Sequence, residues 1–366
     1  MRLRRLPQAA VVVLIWASSA LLCQTPPPTQ AANAPAGPAP PAPTKSAPSH
    51  VLFLYTVPRS TVEMEVHTVP STDEARLDRL RAAFHVAKCD GDRMGEQPVT
   101  PKHGPPGSNL ICTWSGERSG ERPGDPGPGI IIVAAHYERD GQGDGALAGW
   151  SGAALLPFLY QGIQGQPREN TFVFLESYGA EGVQTWLKSI SHEERKRIRA
   201  MIDLDALGLG VTRYFTTFGF METTPAAALH LQLSLLWAAV DEGLTKPPIA
   251  TSPHHWLSID ATSPFRALMI PTIVIHSVPP EAERVPGSPA DTAAAVDGNA
   301  YFQSYHLVCT WLATLDHLAK KLALDDPFWK TPPNTDVRPA DESPRVGFRA
   351  TSGGHLMPGP PGSPGH

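Results

Sequence analysis

The 366-residue chain carries charge on only 18% of its residues and has no Lys/Arg stripe interleaved with aromatics. Both signs are interspersed at a formal net charge of −5, which excludes the electrostatic footprint of a nucleic-acid binder. Cysteine is scarce, at 4 residues. If Cys23 is lost with a leader, Cys89, Cys112 and Cys309 remain, an odd set that allows one disulfide and a spare thiol. Cys89–Cys112 is a candidate pair, but three buried small apolar side chains are the preferred reading. No Gly-x-Ser-x-Gly turn surrounds Ser151, so the nucleophile elbow of a serine hydrolase is missing. No internal repeat is present, which leaves solenoids and propellers without support.

The apolar run from Ala9 to Leu22 falls short of the roughly 20 residues of a membrane span. It follows Met-Arg-Leu-Arg-Arg, so residues 1–23 read as a secretory signal peptide or a signal-anchor. Arg4-Arg5 is too little for a twin-arginine signal, and Leu22 stands where lipid attachment at Cys23 wants a small residue. Residues 24–48 are rich in Pro and Ala, cannot bury a core, and read as an extended linker. Residues 330–366, rich in Pro and Gly, are expected to be disordered. Residues 49–329 remain as one domain. The expected location is extracytoplasmic, periplasmic or secreted, with the N-terminal segment as a candidate membrane anchor.

Within that domain strands alternate with helices. Ser71 followed by Glu74 predicts a capping box and a helix to about Cys89. Strands are predicted at Asn109–Trp114, Ile130–Ala135, Asn170–Leu175, Arg199–Leu207 and Thr272–His276. Helices are predicted at Gly152–Gly162, Val183–Ile190, Pro225–Glu242 and Ala300–Leu324. "HEERKR" from His192 to Arg197 reads as a charged, solvated helix face. The alternation predicts an α/β fold with a mostly parallel central sheet and helices on both faces. Ligands of such sheets bind beyond the carboxyl ends of the strands, where His136, Glu176 and Asp205 fall.

Asn109–Trp114, Ile131–Gly152, Asn170–Leu187 and Arg199–Gly208 together resemble the co-catalytic zinc aminopeptidases, over roughly Thr72 to Leu315. That superfamily includes secreted bacterial aminopeptidases, glutamate carboxypeptidase and glutaminyl cyclase. It also includes the non-catalytic nicastrin, nicalin and transferrin receptor ectodomain. The resemblance implies the same zinc-aminopeptidase-like fold and two zinc ions bridged by one Asp. The first metal takes a His from His-x-Asp and a strand-end Asp. The second takes a Glu from a Glu-Glu pair and a His from His-Thr-x-x-Asp-Thr. The other Glu is the general base, moving the proton of a metal-held water to the leaving amine.

Carried over position by position, His136 and Asp205 match the first metal's terminal ligands, and Glu138 stands in for the Asp that orients the imidazole. "GALAGWSG" puts Leu147 at the bridging Asp. "ESYGAEG" keeps Glu176 as the base and puts Ser177 at the ligand Glu; a second register would lose both acids to Tyr178 and Gly179. "GSPADT" places Gly287 where the last His belongs, and the usual Asp-His-x-Pro-Phe element survives only as "DATSPF" from Asp260 to Phe265.

A catalytic zinc normally needs three protein ligands and an open position. Two are in place, and among the nearby acids Glu138, Asp140 and Asp144, Asp144 is the candidate third. The blander readings stand beside these. His136 is otherwise a strand-end histidine paired with Glu138 or Asp205, Glu176 a salt-bridged rim residue, and Asp205 a turn cap. His254 and His255 are adjacent on an extended segment and point apart, so they do not share an ion. The sequence is therefore read as an exported peptidase-like domain whose dinuclear site has decayed. It would hold no cofactor or one weakly bound zinc, and take a peptide or protein partner in the former cleft. The rivals are an active hydrolase with one relocated zinc at His136, Asp144 and Asp205, and a purely structural module.

Overall fold

A run of six apolar residues, Ile130–Ala135, is satisfied by a strand covered on both faces, and that strand forms the middle of the protein. The computed structural model describes residues 51–117, 128–139, 141–217, 226–252, 259–318 and 345–350. The expected signal and linker lie outside these residues.

In chain order the elements begin β1 (Val51–Thr56), α1 (Arg59–His67), α2 (Asp73–Val86), β2 (Met94–Val99), β3 (Gly107–Trp114) and β4 (Ile130–His136). They continue α3 (Leu156–Ile163), β5 (Thr171–Ser177), α4 (Gly179–Ser189), α5 (His192–Arg197), β6 (Ile198–Leu204) and β7 (Arg213–Thr217). The last are α6 (Ala226–Asp241), β8 (Ile249–Ala250), α7 (Ile259–Ala267), β9 (Thr272–His276), α8 (Gly298–Leu318) and β10 (Arg345–Ala350). Eight strands form one sheet in the order β2-β3-β5-β4-β6-β9-β7-β8. Its centre, β5-β4-β6-β9, is wholly parallel, while β3 and β7 flank it antiparallel.

Alternate residues of β4 serve two cores, as a strand's period of two requires. Ile131, Val133 and Ala135 join Val66 of α1, Phe84 of α2, Leu159 of α3 and Trp311 of α8. Ile130, Ile132 and Ala134 join Val183 and Trp186 of α4 and Phe265 of α7. The predicted sheet with helices on both faces is therefore observed. Among the described residues no helix is long and apolar enough to cross a membrane.

Some local expectations are corrected. The cap of α2 is Thr72, whose Oγ1 accepts from Ala75 N at 3.2 Å, and not Ser71. Asp73 and Glu74 then both fall in the first turn, where acids suit the helix dipole. The capping box that does form is Ser191 with Glu194, at the start of α5. Tight irregular turns occupy 147–155, so the helix expected from Gly152 begins only at Leu156. Arg345–Ala350, inside the expected disordered tail, pairs parallel with β1 in a separate two-stranded sheet. Its short alternating run was hidden by the Pro- and Gly-rich flanks.

The cysteines are corrected as well. Cys89, just after α2, is disulfide-bonded to Cys112 of β3, and Cys309 is a buried free thiol. The bridge closes a loop with a sequence separation of 23 between the sheet and the helix that carries Arg76. A loop of this size is worth about 3 kcal/mol through the unfolded state. A Cys89→Ala/Cys112→Ala variant should lose about that much in urea denaturation, and reductant should leave it unaffected while lowering the parent's midpoint.

Candidate functional site

The strand ends bring His136, Glu176, Ser177 and Asp205 to one edge of the sheet. In register, His136 lies beside Ser177, and Glu176 beside Ala135, so His136 and Glu176 leave the sheet on opposite faces. Asp205 follows β6 directly, in a turn whose next residue, Ala206, has φ 47°. A left-handed non-glycine residue is strained by about 1–2 kcal/mol. Ala206 is held there by Ser277 N–H donating to its carbonyl at 3.1 Å, and Leu207 N–H donates to Ser151 Oγ at 2.8 Å.

His136 sits between two acids. Its Nε2 is 3.6 Å from Asp205 Oδ1, and its Nδ1 is 3.3 Å from Glu138 Oε1, an ion contact without the alignment of a hydrogen bond. Burial works against the charged ring, but Glu138 and Asp205 outweigh it and hold the His136 pKa well above its ordinary value. Burial also pushes Glu138 up, yet the His136 charge and the Gly179 N–H, 2.9 Å from Oε2, hold it below the usual glutamate range. Gly149 closes over this pair at φ 88°; a Cβ there would lie 2.2 Å from the Glu138 carbonyl oxygen.

Two more acids are buried here. Glu176 is fully covered and neither carboxyl oxygen has a hydrogen-bond partner among the described residues; burial raises its pKa well above normal, only partly offset by His136. Asp203, two residues before Asp205 on the same face of β6, is pushed up to about 8 by burial and then by Asp205. The period of two could have identified Asp203 from the sequence, which singled out only Asp205. Burial and neighbouring charge thus favour the charged form of His136 and the neutral forms of Glu176 and Asp203.

The loop leaving β4 is gripped by Arg76, which no sequence motif marks, and by Asp291 and Ser151, which lie within quoted motifs. Arg76 of α2 is fully buried; its Nη1 donates to the Tyr137 carbonyl at 2.9 Å, its Nε to the Pro70 carbonyl at 3.2 Å, and its Nη2 to the Asp144 carbonyl. Asp291, from the "GSPADT" segment, accepts from Leu147 N at 2.7 Å, Ala148 N at 3.1 Å and Gly287 N at 2.8 Å. Ser151 adds a third tie, its Oγ donating to the Leu147 carbonyl at 2.9 Å.

This arrangement does not fit a zinc pair. Leu147, at the bridging position, is fully buried in the main core. Ser177 is buried and its hydroxyl donates to the Ala135 carbonyl at 3.3 Å. Gly287 has φ 71°, a conformation in which a histidine would be strained. Asp144 is exposed, and Arg76 holds it by its backbone. Among the described residues no three His, Cys, Asp or Glu side chains converge on a position for a metal ion, so His136, Asp144 and Asp205 do not form the relocated site. Asp140, His254 and His255 lie outside the described residues, and Asp260 is within α7.

An α/β sheet with its candidate site beyond the parallel strand ends is the layout in which open α/β proteins of many functions bind their ligands. The sequence profile of Peptidase family M28 matches residues 109–311, more than half of the chain, and the chain belongs to that family. No curated protein matches it in sequence. Among solved structures it is similar to glutaminyl cyclase from Fimbriiglobus ruber, with TM-score 0.56, 13% identity, and coverage of 74% of this chain and 99% of that one. It is also similar to glutaminyl cyclase from Porphyromonas gingivalis, with TM-score 0.51, 19% identity, and coverage of 69% and 96%. A zinc aminopeptidase from Bacillus subtilis aligns with TM-score 0.47 and 19% identity over 57% of this chain. The chain spans about half the length of that aminopeptidase, 49%.

Two outcomes follow from this geometry. Replacing Arg76 by Leu removes the donors from several buried carbonyls and should cost about 3 kcal/mol or more in urea denaturation. Arg76→Lys keeps the charge but not the fork and should recover only a minor part. The second concerns pH. Asp203 binds its proton up to about pH 8 when folded but only to 3.8 when unfolded, so its stabilisation is full below 3.8 and is lost as pH rises toward 8. Asp203→Asn should flatten that part of the profile and raise stability at pH 8 by a few kcal/mol, since each tenfold difference in proton affinity is worth about 1.4 kcal/mol. An unchanged slope in the denaturation midpoints between pH 4 and 8 would contradict this.

Proposed function

We propose that the chain is a pseudo-peptidase: an exported M28 domain without a working metal centre, which binds a peptide or protein partner at the former cleft. The observation that carries the reading is Leu147. It stands at the position that the resemblance assigns to the bridging carboxylate, and it is fully buried in the core, with its backbone N–H bonded to Asp291. Changes at Ser177 and Gly287 point the same way.

Export is supported by the Cys89–Cys112 disulfide, since such bonds persist in oxidising compartments. It is also supported by the signal-like segment at residues 1–23. A peptide is the ligand class favoured by membership of Peptidase family M28 and by the similarity of the fold to a glutaminyl cyclase.

Purified protein should contain far less than one zinc per chain. A strong chelator should leave its thermal midpoint unchanged, because no ligand specific to the native state is removed. It should release no product from aminoacyl anilides and should not cyclise a peptide with N-terminal glutamine. Stoichiometric zinc, with a midpoint that drops by several degrees on chelation, would overturn the reading in favour of a single-zinc hydrolase.

A further inference from the structure

Beyond the former cleft, the other helix layer holds an open groove between α4 and α7. Helix α4 carries the chain back from the end of β5, so its last turn lies toward the strand starts, away from His136. The groove encloses a cavity of ≈350 Å³, at the small end of ligand sites. Leu187, Ala267 and Leu268 line it with hydrocarbon, and Leu268 is 45% exposed. Lys188 and Arg195 line it with positive charge.

Neither cation has a carboxylate partner among the described residues. The acids nearest in sequence are engaged elsewhere: Glu193 pairs with Lys196 at 3.1 Å, and Glu194 accepts from Ser191 N at 2.8 Å. Arg195 uses Nη2 on the Lys188 carbonyl at 3.0 Å, which fixes the guanidinium against the end of α4. Among the described residues no hydrogen bond is made by Arg195 Nη1 or Lys188 Nζ, so both are available to an anion in the groove.

We propose that this groove binds a small apolar monocarboxylate, with its carboxylate on Arg195 and Lys188 and its hydrocarbon on Leu187, Ala267 and Leu268. Inorganic phosphate would leave the apolar wall wet, and an uncharged hydrophobe would leave both cations without an anion. The cavity volume suits a molecule of single-residue size better than a protein segment. The proposal is independent of the pseudo-peptidase reading, because it uses none of the residues of the strand-end site.

The experiment is calorimetric titration of the full chain with N-acetyl-leucine. Trp186, whose ring is 6.5 Å from that of Phe265, offers a fluorescence readout next to the groove. Saturable binding is expected with Kd on the order of 1 mM or tighter. N-acetyl-leucinamide, which lacks the charge, should bind at least about tenfold more weakly. A Lys188→Gln/Arg195→Gln variant and, separately, Leu268→Glu should each lose about tenfold or more, with thermal unfolding confirming that both remain folded. Absence of saturation, equal affinity for the acid and the amide, or equal affinity of the charge-removed variant would each overturn the proposal. A longer peptide ending in leucine that binds more than about tenfold tighter than N-acetyl-leucine would overturn it in favour of docking by a protein C-terminus.

Discussion

Arg76 carries a full positive charge into a site from which water is excluded, and such a charge is tolerated only when its donors are met. The carbonyls of Pro70, Tyr137 and Asp144 meet them. Those carbonyls belong to the entry of α2 and to both ends of the loop that follows β4, so one side chain sets the path of that loop. Asp291 completes the constraint from the other end of the sequence by accepting the N–H groups of Leu147 and Ala148. Once the loop is pinned at these points, Leu147 turns into the core, and Gly149 is brought against Glu138 and His136. The disulfide at Cys89 anchors the far end of the same helix to β3, which keeps Arg76 in place.

This internal clamp also explains the electrostatics at the strand ends. Six ionisable groups crowd the region: Arg76, His136, Glu138, Glu176, Asp203 and Asp205. Burial and neighbouring charge set their protonation preferences, favouring the charged form of His136 between Glu138 and Asp205 and the neutral forms of Glu176 and Asp203.

The fold was legible in the sequence because continuous apolar runs between turn signals survive any change of chemistry. Ile130–Ala135 and Thr272–His276 read as buried strands and are buried strands. The edges were less legible: β2 contains Pro98 and exposed polar residues, and β8 has only two residues, so neither shows an apolar period. At the site, residues at strand ends could be placed by motif, and His136 and Ser177 do lie side by side. Arg76 could not be found that way, since an arginine on a helix gives no sign that it will be buried. Asp291 was within a quoted motif, but its partners are backbone groups 144 and 143 positions away. The Cys89–Cys112 pair was named as a candidate but ranked below three buried thiols for a related reason, as the sequence cannot show that two buried thiols meet.

The strained turn at Ala206 separates what the scaffold has kept from what it has changed. Its positive φ aims Asp205 at His136, an alignment with a cost that the protein continues to bear. Backbone hydrogen bonds from Ser277 and a side-chain bond to Ser151 hold the turn, and Ser151 in turn ties the Leu147 loop and receives Tyr301 through its carbonyl at 2.8 Å. The frame around the strand ends is therefore one connected hydrogen-bond structure, in which Ser151 joins the loop after β4, the turn at Ala206 and α8.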